Sequence, residues 1–233
     1  ITIENFKGGI ELKDINLKFP EQRTDLFKNF NFKFEAGSAT VVVGKNGTGK
    51  TTLFNIITGL LKVDSGLINI DGINSEQVSL EWWKRQLIAV PQEPHFINGS
   101  ILQNLLLFNE NITNEDINNV VDQSGLRDFI SQTDKGINLE INNLDLYLSL
   151  GIKKRISLAR SLLSNGRVLI FDEPTEGLDQ EGSKLFYNIL NKSTKLKKTI
   201  IVLSQDQNII KGANNIIDIN ELNKPKIIKI REY

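Results

Sequence analysis

The chain has 233 residues, with 28 basic and 28 acidic side chains. It is long enough to hide roughly 70% of its unfolded surface in a core, and its zero net charge speaks against holding nucleic acid by bulk electrostatics, which takes a basic face. The absence of cysteine excludes disulfide scaffolds, zinc–cysteine sites and thiol nucleophiles, a single histidine (His95) builds no multi-histidine metal site, and no apolar run of about 18 residues is present to span a membrane.

The first residues show no charged segment followed by an apolar stretch, so no signal peptide is read. A chain that begins at Ile1 and lacks methionine reads as a domain excised from a longer polypeptide. Residues 10–19 alternate apolar and polar, as a half-buried antiparallel strand does, and Pro20 stops them. A second alternation, 30–34, halts at Ala36-Gly37. The period then changes: residues 39–43 form a continuous β-branched run, the mark of a strand covered on both faces.

That run leads into Gly44-Lys45-Asn46-Gly47-Thr48-Gly49-Lys50-Thr51, a full match to G-x-x-x-x-G-K-[ST], and residues 50–58 behind it read as a helix closing at Gly59. Strand, glycine loop and helix in this order make a phosphate cradle. Glycines let successive backbone N–H groups turn inward, and the helix N-terminus adds positive potential. Lys50 can reach the outer phosphates of a nucleoside triphosphate, and the Thr51 hydroxyl can ligate Mg²⁺. Gly44, Asn46, Gly47, Thr48, Gly49, Lys50, Thr51 and the next residue, Thr52, are the expected nucleotide-binding set.

Residues 67–70 and 87–90 are further short strands. From 92 to 164 the chain turns helical and Asn-rich without linker composition at either end, so it reads as a helical subdomain inserted in one domain spanning 1–233. Buried-type strands at 168–171 and 199–203 flank a helix near 183–192, a rhythm that implies a parallel α/β sheet. The tail, 224–231, alternates again as a strand. At the end of the first of these strands stand Asp172 and Glu173. A buried strand ending in Asp at the carboxyl edge of the sheet places that side chain beside the phosphate loop. Asp172 then suits Mg²⁺, and Glu173, facing the other way, can orient or deprotonate the attacking water.

Several motifs now stand in order and spacing, and residues 8–230 resemble the nucleotide-binding domain of ABC transporters. The resemblance implies a P-loop α/β fold with an N-terminal antiparallel β region, a mostly parallel core sheet and the helical insertion. Gln92 resembles the Q-loop glutamine that touches Mg²⁺ and the attacking water, and Leu148-Ser149-Leu150-Gly151-Ile152 sits at the LSGGQ signature. Asp172 and Glu173 match the Walker B pair, and Glu176-Gly177-Leu178-Asp179 resembles the D-loop. Phe19 occupies the place of the adenine-stacking aromatic; without the resemblance it reads equally as a strand-end core residue. The segments 79–85 and 98–105 are similar to exporter-type domains. This implies a preceding six-helix membrane region and a place at the cytoplasmic face of the cell membrane. It also implies ATP and Mg²⁺ as ligands, and a second ATP-binding domain, identical or not, as partner. No nucleic-acid partner is expected.

Three positions depart from the family pattern. Gln205 stands where the switch histidine belongs; it can donate a hydrogen bond to a γ-phosphate but cannot carry charge near neutral pH. In the signature, Leu150 replaces the first glycine and Ile152 the glutamine, while Ser149 and Gly151 remain to meet the partner's nucleotide. A leucine there costs free energy where the backbone needs positive φ, and adds bulk where phosphate must approach. The acidic loop before the signature is reduced to Leu139-Glu140-Ile141-Asn142-Asn143. Slow ATP hydrolysis follows as an expectation. The rivals are a regulatory nucleotide-binding subunit and a soluble, non-transport ATPase of the same superfamily. Bland readings are kept for His95 (a solvated or packed loop residue), Trp82 and Trp83 (packing), and Lys153-Lys154-Arg155 (a solvated helix face).

Overall fold

The first alternating segment folds as strand β1 (Ile10–Leu17), whose Ile10, Leu12, Ile15 and Leu17 turn inward and are at most 4% exposed. The structure is a computed structural model that describes residues 1–20, 23–107, 111–142 and 148–221, and the backbone of 226–229. Strand β1 pairs antiparallel with β2 (Phe27–Phe34) on one side and β4 (Ser65–Ile70) on the other, and β5 (Ile73–Asn74) extends the sheet beyond β4. The ladder ends two residues before Phe19 because the Lys18 N–H donates to the Asp64 carboxylate at 2.8 Å instead of to a neighbouring strand. At the other side, the Leu26 N–H donates to the Leu17 carbonyl at 2.8 Å, so β2 opens three residues earlier than its alternation suggests.

The second sheet is the α/β core. Its strands are β3 (Ala39–Val43), β6 (Leu87–Val90), β9 (Val168–Asp172), β10 (Thr199–Leu203), β11 (Asn215–Asp218) and β12 (Lys226–Lys229), ordered β12-β11-β3-β10-β9-β6. Neighbours are parallel except β11 with β12. Every residue of β9 and β10 is buried, as a strand covered on both faces demands. One face packs α1 (Lys50–Ile57) and the antiparallel sheet through Phe27, Phe34, Phe54 and Ile170. The opposite face carries α7 (Gln180–Lys195) and α8 (Gln207–Lys211), with Phe186 seated on Phe171. Helix α2 (Leu80–Arg85) packs Trp83 into the first of these faces, and Phe6 meets both tryptophan rings edge-on.

A third cluster joins α3 (Ile101–Leu106), α4 (Asn114–Gln123), α5 (Arg127–Ser131) and α6 (Leu150–Leu162). Between them a two-residue ladder, β7 (Gly99–Ser100) with β8 (Glu140–Ile141), interrupts a stretch read from sequence as helical. Helix α6 is anchored to the core sheet at its far end, where Ser161 and Ser164 donate to the carbonyls of Ala89 (2.7 Å) and Leu87 (2.9 Å). Of the short loop before the signature, Leu139 to Asn142 are described and Asn143 lies outside the described residues. So do positions 224, 225, 230 and 231 of the tail. Among the described residues, no helix is long and apolar enough to cross a membrane.

Candidate nucleotide site

Strand β3 delivers the chain into the glycine loop at the carboxyl edge of the core sheet, and α1 leaves it at Lys50. Gly47 (φ 83°) and Gly49 (φ 93°) take left-handed backbone that other residues rarely adopt. Gly49 has a second reason: a Cβ there would sit 3.2 Å from the Phe27 ring. As N-cap of α1, Gly49 offers no side chain to the helix start, which leaves those N–H groups free for an anion. Thr48 pins the loop by donating its hydroxyl to the Lys45 carbonyl at 2.9 Å. The Lys50 ammonium, only 7% exposed, donates to the Gly44 carbonyl at 2.7 Å and lies 3.4 Å from a Glu173 carboxylate oxygen. The carbonyl and the carboxylate thus take the place beside the ammonium that phosphate oxygens can otherwise fill.

The ends of β9 and β10 complete the site. Asp172 is fully buried, and neither carboxylate oxygen has a hydrogen-bond partner. Burial pushes its carboxyl above the ordinary aspartate range. The nearby Thr51 hydroxyl, Lys50 and Lys154 pull it back only partly, and the Glu173 charge adds to the rise. Glu173 leaves the strand at φ 43° and donates its N–H to the Leu203 carbonyl at 2.8 Å. That kink turns its carboxylate away from Asp172 and toward the loop, where one oxygen meets Lys50 and the other accepts from the Gln205 N–H at 3.4 Å. The Gln205 side-chain amide donates to the Asn46 side-chain amide oxygen at 3.1 Å, so the switch position does touch the loop. Gln92 donates to the Glu176 carboxylate at 2.8 Å and accepts from Thr51 at 3.5 Å.

A cavity of about 360 Å³ lies along this edge, lined by Phe19, Leu26, Asn46, Gly47, Gly49, Lys50, Thr51, Thr52, Gln92 and Glu173. Phe19 and Leu26 form its apolar end, the lysine and carboxylate its charged end. Gly44 and Thr48 shape the loop from behind, and Gln205 borders it through Asn46. Ser149 and Gly151 do not line the cavity. Ser149 is the N-cap of α6, its hydroxyl accepting from the Ile152 N–H at 3.3 Å. Leu150 begins the helix with ordinary helical backbone, so the conformational penalty weighed for a glycine replacement does not arise. Its bulk instead packs on the D-loop, where a Cβ on Gly177 would lie 2.9 Å from a Leu150 methyl.

One expectation is overturned. The Lys153-Lys154-Arg155 run is not a solvated helix face: Lys154 is completely buried, its ammonium on the carbonyls of Glu173 and Glu176 (2.8 Å to the latter), and Arg155 reaches the Gly125 carbonyl at 3.0 Å. Three consecutive residues cover most of a helical turn, and α6 is packed on more than one side, so basic character alone did not decide exposure. Of the two bland readings for His95, solvated or packed, the structure shows the first: the side chain is exposed. Sequence reasoning missed Leu26, Glu176, Lys154 and the pair behind the switch position, where Tyr187 (2.6 Å) and Thr175 (2.8 Å) donate to Asp206. Glu176 and Lys154 stood in runs that the sequence did show, the D-loop and the basic run, but nothing local gave their roles, and Asp206 had only its place after Gln205.

A family profile described as ABC transporter matches residues 27–176. The chain is 30% identical over 215 residues to the alpha-hemolysin translocation ATP-binding protein HlyB of Escherichia coli O157:H7, covering 92% of this chain and 30% of that protein. It is 30% identical over 218 residues to the ATP-dependent lipid A-core flippase of Blochmanniella pennsylvanica, covering 93% and 37%. With ABC transporter B family member 21 of Arabidopsis thaliana it shares 29% over 221 residues, 94% of this chain and 17% of that protein. The chain therefore spans well under half the length of these relatives. A bacterial Atm1-family ABC exporter solved with ATP bound superimposes with a TM-score of 0.87 at 21% identity, covering 98% of this chain and 41% of that one, a likeness of fold.

Proposed function

This chain belongs to the ABC transporter family, and from that premise we propose that it is the ATP-binding domain of an exporter, binding MgATP in the cavity beside the glycine loop and hydrolysing it slowly. The observation that carries the reading is the juxtaposition of the loop, the Lys50 ammonium and the Glu173 carboxylate at one sheet edge. Phe19 and Leu26 would hold the adenine, and the loop amides and Lys50 the phosphates. Mg²⁺ fits the site: the buried Asp172 carboxylate is unpartnered, and the Thr51 hydroxyl and Gln92 side-chain oxygen supply further hard donors. Bound there, the ion would neutralise phosphate charge. Once phosphates draw Lys50 away, Glu173 is free to orient water and accept its proton.

Gln205 supports the slow rate. It reaches the loop but cannot share a proton, and losing such a group typically costs about 10²–10³ in rate. As in the family, two such domains would meet head to tail with membrane-spanning helices supplied elsewhere, at the cytoplasmic face of a membrane. In a homodimer, Gln205 and Leu150 would compromise both nucleotide sites; in a heterodimer they would fall on different ones. A regulatory subunit without useful turnover is the second reading, favoured by apolar Leu150 and Ile152 in the signature. Nucleotide-dependent dimerisation without phosphate release selects it. Calorimetry with MgATP tests the binding claim: Lys50→Ala is expected to weaken affinity at least tenfold, about 1.4 kcal/mol, and an unchanged affinity refutes the cradle.

A further inference from the structure

Lys154 is a fully buried cation that the proposed chemistry does not use. It projects from the second turn of α6, the helix that begins at the signature, into the turn linking β9 to the D-loop. There its ammonium donates to the carbonyls of both Glu173 and Glu176. These are the two ends of one tight turn, closed by the Glu176 N–H on the same Glu173 carbonyl at 3.2 Å. Each end carries a side chain of the nucleotide site: Glu173 faces Lys50, and Glu176 accepts from Gln92. Glu173 also holds φ at 43°, a backbone state that non-glycine residues keep only where their surroundings over-determine it.

We propose that Lys154 is a positioning residue that clamps the 173–176 turn and so aims the Glu173 carboxylate, tying its placement to the signature helix. Backbone carbonyls accept its hydrogen bonds, and although burial lowers its pKa, the negative charges of Glu176, Glu173 and Asp172 around it partly offset that. An apolar side chain would leave the Glu176 carbonyl without its donor and the Glu173 carbonyl with only the Glu176 N–H, and so loosen the strained residue. Because Lys154 does not line the cavity, nucleotide affinity should be spared while the rate suffers, as small misplacements of a reacting group cost up to about a hundredfold.

The proposal rests on the hydrolysis reading above, and its test separates the two. In the 233-residue chain, Lys154→Met is expected to lower kcat by about ten- to hundredfold with MgATP affinity within about twofold of the parent. Lys154→Gln, which keeps one amide donor, should recover part of the loss. Independently of turnover, hydrogen exchange of the Glu176 and Leu178 amides, both bonded within the turn, should quicken about tenfold in Lys154→Met. Unchanged kcat, a parallel loss of affinity and rate, or unchanged exchange overturns the clamp. If Lys154→Met does not fold, Lys154→Gln is judged by the same exchange and rate criteria. A parent chain with no turnover sinks the hydrolysis reading and leaves exchange to decide the clamp.

Discussion

Gln205 is the residue at which this site departs furthest from a proton-sharing design, yet it sits in place, bonded to Asn46 and with its N–H on Glu173. The backbone therefore already brings the position to the loop, and the proposed slow rate would come from the side-chain chemistry alone. Gln205→His is expected to raise steady-state phosphate release at least tenfold; a rate unchanged by the substitution would place the defect elsewhere. Behind it, burial raises the Asp206 carboxyl, but hydrogen bonds from Tyr187, Thr175 and the Asn208 and Ile209 backbone outweigh this and leave its pKa below the ordinary 3.8. A carboxyl depressed in the folded state contributes stability that is present above the ordinary value and lost as pH falls through the depressed one. Tyr187→Phe should thus cost about 1 kcal/mol at pH 7, less than a buried bond to a charged acceptor contributes because Asp206 is partly exposed. The deficit should shrink toward zero in urea titrations repeated well below pH 3.8. The phosphate loop was legible because it is contiguous, with glycine, lysine and threonine at fixed local spacing. Glu176, Lys154 and Tyr187 were not, since each works through a partner between 19 and 84 positions away and leaves no local pattern.

Strands β3, β6 and β10 coincide with the apolar runs seen in the sequence, because a strand buried on both faces has no polar face to blur its ends. Strand β11 escaped notice: its two isoleucines are bracketed by Asn215 and Asp218, too short a run to separate from a loop, and its identity comes from pairing with β3. Helix α7 starts earlier than its apolar spacing indicates, because Asp179 caps it by accepting from the Gly182 N–H at 2.7 Å. What α7 contributes is measurable at Phe186, fully buried with its ring edge-on to Phe171 at 5.5 Å between centroids. Phe186→Ala should destabilise the chain by about 3–5 kcal/mol in denaturant titration. A loss under about 1 kcal/mol would mean that the core on that face closes over the gap.

For the whole molecule, the question is what the altered signature does to association. Ser149 and Leu150 start α6 outside the nucleotide cavity, so any phosphate they meet must belong to another domain. Leu150 spends its bulk on Gly177, which carries the D-loop through φ 74°, and so thickens the face that would approach a partner's loop. Its helical backbone is one that glycine also adopts, so Leu150→Gly removes bulk without demanding a new chain path, at a helix-propensity cost of about 1 kcal/mol or less at this terminal position. With Glu173→Gln in the background to arrest turnover, MgATP is expected to shift the chain from its 26.3 kDa monomer toward a dimer in sedimentation velocity. Adding Leu150→Gly should tighten that equilibrium about tenfold or more, roughly 1.4 kcal/mol. If the leucine variant dimerises as tightly as the glycine variant, the side chain does not obstruct the seam, and the proposed slow rate would rest on Gln205 alone.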